Sequence, residues 1–185
     1  VRPVTFRSHS GDFLLAEWGH SYERVTEPFK LFGRLEIPAG EYEFDRYRAE
    51  VSTGTQRPIS VVLSLQDGKF FGGDRLEKFV EFQWRQSAHF FLGLSFRENV
   101  VKLPSGNFTS RLGSLRTDIA FNSHWAWSNL IQYDNTAEMF NVNSRLRYEP
   151  VAGRELLLVL NHRSAIANDN SFNSISNEIV LKLSY

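Results

Sequence analysis

The 185-residue sequence has no cysteine and one methionine. The absence of cysteine excludes a disulfide framework, thiolate zinc centres and thiol nucleophiles. It also suits a chain that crosses an oxidising compartment unfolded. No run of about 18 apolar residues occurs, which excludes a membrane-spanning helix. Charge of one sign is equally absent: 21 basic residues balance 21 acidic ones. With no basic field, no nucleic-acid partner is expected. No secretory signal is legible between Val1 and Ser10.

Catalytic and metal motifs are sparse. The five histidines (His9, His20, His89, His124 and His162) stand singly, with no His-Glu-x-x-His pair. No glycine-rich phosphate loop opens a helix, and no Gly-x-Ser-x-Gly elbow occurs. Asn168-Asp169-Asn170 could touch calcium but lacks the full ligand spacing. Glu41, Glu43 and Asp45 form an acidic row on one strand face, expected to lie on a hydrated inner or loop face. No cofactor, metal or catalytic residue is assigned.

What the sequence does contain is aromatics, 14% of residues, in a chain with a mean hydropathy of -0.32. Apolar and polar residues therefore alternate finely, and the period is two from end to end. Ile179, Leu181, Leu183 and Tyr185 share one face, against Glu178, Lys182 and Ser184, with Val180 breaking the pattern. Phe140, Val142, Leu146 and Tyr148 oppose Asn141, Asn143, Arg145 and Arg147. Phe90, Leu92, Leu94 and Phe96 oppose Gly93, Ser95 and Arg97; Leu115, Thr117, Ile119 and Phe121 oppose Ser114, Arg116 and Asp118. About eleven strands are expected, several of nine or more residues, where a membrane-crossing strand needs about 9–11 and a soluble one averages about 5–6. The connections read as alternately short (Arg85–Ala88, Asn122–His124, Pro150–Gly153) and long (Glu23–Gly40, Val100–Asn107, Arg163–Ser174), with Asp134–Thr136 breaking the pattern mildly. That asymmetry suits short periplasmic turns and longer external loops, and it puts Tyr185 on the periplasmic side.

The fold expected is thus an all-β, antiparallel up-and-down transmembrane β-barrel. Bacterial single-chain barrels have even strand numbers, so an odd count makes residues 1–185 the C-terminal part of a single, larger barrel domain. Arg97, Arg116, Asp118, Arg145, Arg147 and Lys182 share the polar parity and are the candidate lumen-lining residues. Leu181, Leu183 and Tyr185 resemble the terminal-strand signal for outer-membrane insertion. Outer-membrane lipid and the barrel-assembly machinery are the partners that reading implies. Aromatics near strand ends, such as Trp18, Trp84, Trp125 and Tyr148, are expected as interfacial girdles. The same alternation also fits a soluble β-sandwich or barrel binding a carbohydrate or an apolar ligand. A third reading is an outer-membrane hydrolase with its site in the external loops.

Several motifs carry a family resemblance. Ile37-Pro38-Ala39-Gly40-Glu41-Tyr42, the run from Asn99 through Leu103-Pro104-Ser105-Gly106 to Phe108, Ile131-Gln132-Tyr133-Asp134-Asn135, Asn143-Ser144-Arg145-Leu146-Arg147-Tyr148 and Leu158-Val159-Leu160-Asn161 follow one another in order. Together they resemble the C-terminal region of a Gram-negative family that pairs a carbohydrate-binding (family 9-like) periplasmic domain with a predicted outer-membrane barrel. Tyr148 departs from that pattern, where Trp is common, and so does Leu160, where Tyr is common. The resemblance implies a bacterial outer-membrane location. It also implies a passive channel, or a membrane anchor for a glycan-binding domain that this sequence lacks. It brings no catalytic residues.

Overall fold

A computed structural model describes residues 2–31, 33–166 and 172–184. The chain is all-β and antiparallel; among the described residues there is no helix, and so none long and apolar enough to cross a membrane. The thirteen strands are β1 Val4–Arg7, β2 Phe13–Val25, β3 Phe29–Leu31, β4 Leu35–Ile37, β5 Gly40–Ser52, β6 Ile59–Phe70, β7 Gly73–Ser87, β8 Phe90–Leu103, β9 Gly106–Ala120, β10 Trp125–Asp134, β11 Met139–Val151, β12 Arg154–Ile166 and β13 Phe172–Ser184. Eleven form one sheet in chain order, β1-β2-β5-β6-β7-β8-β9-β10-β11-β12-β13; β3 and β4 pair only with each other. The eleven expected strands are these eleven. The small β3–β4 hairpin was not expected, because it lies inside a stretch rich in turn residues.

Two expected loops are shorter than anticipated. Val100–Asn107 contains only a two-residue turn, Pro104-Ser105, because Val100, Val101 and Leu103 extend β8 and Phe108 extends β9. Around the last connection the strands run to Ile166 and resume at Phe172. The contrast between the two ends of the sheet thus rests mainly on the stretch between β2 and β5. Asp67-Gly68, a residue pair typical of turns, lies within β6. A Cβ at Gly68 would sit 2.1 Å from the Asp45 carbonyl oxygen, so glycine is required where β5 crowds in. The reversal comes at Phe71-Gly72, with φ of 45° and 78°, a two-residue hairpin turn of the kind that matches strand twist.

By its internal contacts the chain divides into two compact units: Val1–Gln56 with Val61–Val80 and Arg97–Arg111, and Arg57–Ser60 with Glu81–Phe96 and Leu112–Tyr185. The first holds the buried hydrophobic cluster of Val25, Leu35, Ile37, Phe44, Phe71, Val101, Leu103 and Phe108. Leu35 and Ile37 come from the β3–β4 hairpin; Val25, Phe44, Val101 and Phe108 come from the end of the sheet nearest it. Gly106 lets Leu35 approach, since a Cβ there would meet its Cδ2 at 3.0 Å. Three rings, Tyr42, Phe44 and Phe70, meet Phe71 edge-on at 4.7–5.2 Å between centroids, an arrangement aromatic quadrupoles favour. Among the described residues the only other buried hydrophobic side chain is Leu15.

Candidate functional site

The functional feature is the sheet itself, whose two faces differ in chemistry. In the second unit the register fixes each face. Ile119, Trp127, Leu146, Leu158 and Leu181 lie in one cross-strand row. Trp125, Tyr148, Leu156 and Leu183 form the next row, and the Trp125 and Tyr148 rings stack at 4.4 Å. This apolar face is uncovered: Ile179 is 72% exposed, Leu183 67% and Leu181 58%. Its polar residues pair across strands. Trp127 donates from Nε1 to Ser144 Oγ at 2.8 Å, and Asn129 donates to Thr117 Oγ1 at 3.1 Å. Pairing of this kind removes the cost of placing lone polar groups on an apolar surface.

The opposite face of the same strands is polar. Arg116 pairs with Asp118 at 2.8 Å and Arg147 with Glu149 at 2.9 Å. Arg145 donates to Asn143 Oδ1 at 2.9 Å; Asn143 bonds Asn161, which donates to Glu178 at 3.0 Å. Lys182 lies opposite Leu157 on this face. A groove of about 690 Å³ runs past Gln132, Asn141, Asn161, Arg163 and Glu178. The Arg116 guanidinium sits 5.7 Å from the Phe91 ring centroid, backed by an aromatic face that holds it without consuming its N–H donors. Exposed Leu130 is an apolar intruder here.

The first unit repeats the division. Leu14, Trp18, Tyr47, Val51, Leu63 and Leu65 share the apolar side by register, and all are exposed. Behind them lie Glu17, Arg46, Arg48, Glu50 and Gln66. Arg97 belongs to this polar side, paired with Glu77 at 3.2 Å and stacked on Phe79 at 4.8 Å.

In this unit the apolar belt stops short of the hairpin end. Beyond Trp18 and Tyr47 the same side carries charge: His20 with Asp45 at 3.0 Å, then Glu43 and Glu41. Lys69 with Asp74 at 2.8 Å continues that band, as does Glu98 between Lys78 at 3.2 Å and Arg111 at 2.8 Å. The acidic row Glu41, Glu43 and Asp45 therefore lies on the side of the apolar belt, beyond its edge, and not on the polar face. Its parity follows from pairing with Arg24, Tyr22 and His20, which sequence alternation alone does not supply.

No protein-family model matches the sequence, and no curated protein matches it. Among solved structures, one described as "KdgM porin in complex with disordered oligogalacturonate" is similar over 98% of this chain and 86% of its own, at 9% identity and a TM-score of 0.38. At that score the likeness decides nothing about fold or function.

All six sequence-derived candidates, Arg97, Arg116, Asp118, Arg145, Arg147 and Lys182, lie on the polar side of their strands. Leu181 and Leu183 lie on the apolar side. Tyr185 and Asn168-Asp169-Asn170 fall outside the described residues. Among the described residues no cluster of three or more His, Asp or Glu side chains is arranged to hold a metal. Sequence reasoning missed two things: the belt's charged edge, and a linked group of His162, Ser164 and Asn177. The latter is visible only once the β12–β13 register sets Asn177 opposite His162.

Proposed function

We propose that this chain is part of an outer-membrane β-barrel whose apolar face contacts lipid and whose polar face lines water, so that it acts as a passive channel. The observation that carries this reading is the uncovered apolar face, present in both units and following alternate strand positions up to the charged band of the first unit. A soluble sandwich buries that face under a second sheet. Exposed apolar surface on this scale marks a membrane or partner surface, and a sheet satisfies backbone hydrogen bonds in hydrocarbon when its strands close on themselves. Strands of 13–15 residues exceed the about 9–11 needed to cross; in the first unit the surplus bears the charged band.

On this reading Arg97, Arg116, Asp118, Arg145, Arg147 and Lys182 line the pore. Arg97, Arg116 and Arg147 each pair with a neighbouring carboxylate there, which suits passage of polar solutes with weak preference for charge sign. The β3–β4 hairpin packs against the polar side of the first unit and narrows the passage at that end. Leu181 and Leu183 on β13, with Tyr185 after them in sequence, carry the apolar alternation that the assembly machinery reads. Where a glycan-binding domain precedes the chain, as the motif resemblance implies, the barrel also anchors it. The test is refolding into phospholipid vesicles, followed by carbonate extraction and unheated gel electrophoresis. Retention in the membrane with heat-modifiable migration supports the reading; a monodisperse folded species in buffer without detergent refutes it.

A further inference from the structure

On β12 and β13 of the second unit, three polar side chains form one directed hydrogen-bond chain. Ser164 Oγ lies 2.6 Å from His162 Nε2, and His162 Nδ1 lies 2.5 Å from Asn177 Oδ1. Asn177 donates from its amide nitrogen to Ser174 Oγ at 3.0 Å. That bond turns Oδ1 toward the ring. Oδ1 can only accept, so Nδ1 carries the proton, and Nε2 of a neutral imidazole is left bare. The Ser164 hydroxyl must then be the donor. The result is a nucleophile, a base and an orienting group in sequence, the arrangement that defines nucleophilic acyl transfer by geometry rather than by sequence position.

Local structure explains the closeness of Ser164 and His162. Residues two apart on a regular strand stand nearly 7 Å apart along it. The register between β12 and β13 shifts at Arg163/Ser164, leaving Ile175 as an extra residue on β13, and a bulge of this kind re-aims the neighbouring side chains. The hydrogen bonds of His20, His89 and His124 lack this second link: His20 bonds Asp45, while His89 and His124 bond the backbone carbonyls of Ala120 and Glu149. The other polar pairs on the apolar side of this unit, Trp127 with Ser144 and Asn129 with Thr117, are single bonds without a base.

Position selects the substrate. His162 faces Val142 and Ser164 faces Phe140 across the β11–β12 pairing, and the Phe140 and Phe172 rings touch edge-on at 5.4 Å. One step along the same side come Leu160 and Ile179, both exposed. The group thus sits within the apolar belt of these strands, with Val142 and Phe140 facing it and the Ile166–Phe172 pair beyond it, where an acyl chain reaches it more readily than a water-soluble ester does.

We infer that Ser164, His162 and Asn177 form an esterase site for acyl esters of membrane amphiphiles, resting on the reading of this sheet side as lipid-facing. Ser164 Oγ bonds to the acyl carbonyl carbon as its proton passes to His162 Nε2. The carbonyl electron pair moves onto oxygen and returns as the ester C–O bond breaks. The leaving alkoxide takes the proton from Nε2. Water then repeats the two steps on the acyl-serine, releasing a carboxylic acid and restoring the hydroxyl. Asn177 is a positioning residue, acting through the ring.

Ser164 is only 2% exposed, so a small reagent labels it first, and a lipid ester reaches it only as the side chains around it part. The folded chain in phospholipid vesicles is treated with diisopropyl fluorophosphate, and the labelled peptide is read by mass spectrometry. The site predicts one label, on Ser164, abolished by Ser164→Ala and slowed about 10²- to 10⁴-fold by His162→Gln. Asn177→Leu slows labelling and Asn177→Asp restores it, while heat-modifiable migration stays unchanged throughout. Free fatty acid released from phosphatidylglycerol vesicles by the wild type, and not by Ser164→Ala, identifies the substrate class. A vesicle-inserted, heat-modifiable wild type that carries no label on Ser164, or releases no fatty acid, overturns the site. Label on Ser164 in a chain that stays in buffer without lipid instead overturns the lipid substrate and the membrane reading together.

Discussion

Arginine placed stepwise along β13 measures what lies against the apolar side. Ile179, Leu181 and Leu183 are 72%, 58% and 67% exposed, so in water all three substitutions are surface changes. Each is then worth within about 0.5 kcal/mol of wild type, with no trend. Against lipid the expectation differs. The midpoint of Phe172–Ser184 is Glu178. With a rise of about 3.4 Å per residue and a tilt of about 40°, Ile179, Leu181 and Leu183 stand roughly 3, 8 and 13 Å from the strand's mid-depth. Arginine on the lipid side costs about 2–4 kcal/mol at the midplane and about 0–1 near the interface. Ile179→Arg should therefore lower the folded-to-unfolded ratio roughly 30- to 700-fold, Leu181→Arg by less, and Leu183→Arg least. Urea titration in lipid vesicles, followed by tryptophan emission, gives the three values. A flat series within 0.5 kcal/mol, or one that rises toward Leu183, refutes the reasoning.

Other outcomes follow from the same geometry. Ile37→Ala, at a side chain 1% exposed, should cost about 2–5 kcal/mol of local stability; faster proteolysis between β2 and β5 reads the loosened hairpin, and unchanged cleavage argues against its packing role. Arg145→Glu with Arg147→Glu should move reversal potentials in planar bilayers toward cation preference, and an unshifted potential removes both from the pore wall. Gly68→Ala should depress folding yield, because its Cβ would collide with the Asp45 carbonyl; normal yield means β5 can yield there. Trp127→Phe should cost about 0.5–1.5 kcal/mol by leaving Ser144 without its donor, measured by the same urea titration.

Much of this was legible in the sequence because the strand period is short and strict. Ile179, Leu181 and Leu183 against Lys182 disclose a two-faced strand without any partner, and the same holds for Leu146 against Arg145 and Arg147. Strand ends were less legible. Val100 to Leu103 continue β8 because β-branched residues extend a ladder up to any turn that can close it, and Pro104-Ser105 closes it in two residues. The β3–β4 hairpin was hidden because Phe29–Leu31 and Leu35–Ile37 are too short to show a period; tertiary packing against Phe44 and Val101 makes them strands. The side taken by Glu41, Glu43 and Asp45 depends on register with β2. The link from Ser164 through His162 to Asn177 depends on the register that sets Asn177 opposite His162, which no count of alternating residues announces.

The central claim concerns which side chains meet lipid, and the natural absence of cysteine makes it directly measurable. Single cysteines at Glu178, Ile179, Val180, Leu181, Lys182 and Leu183, in protein inserted into vesicles, are exposed to a water-soluble maleimide. Glu178→Cys, Val180→Cys and Lys182→Cys should react, and Ile179→Cys, Leu181→Cys and Leu183→Cys should be protected. Equal reaction at all six positions, or the opposite phase, contradicts a lipid-facing apolar side.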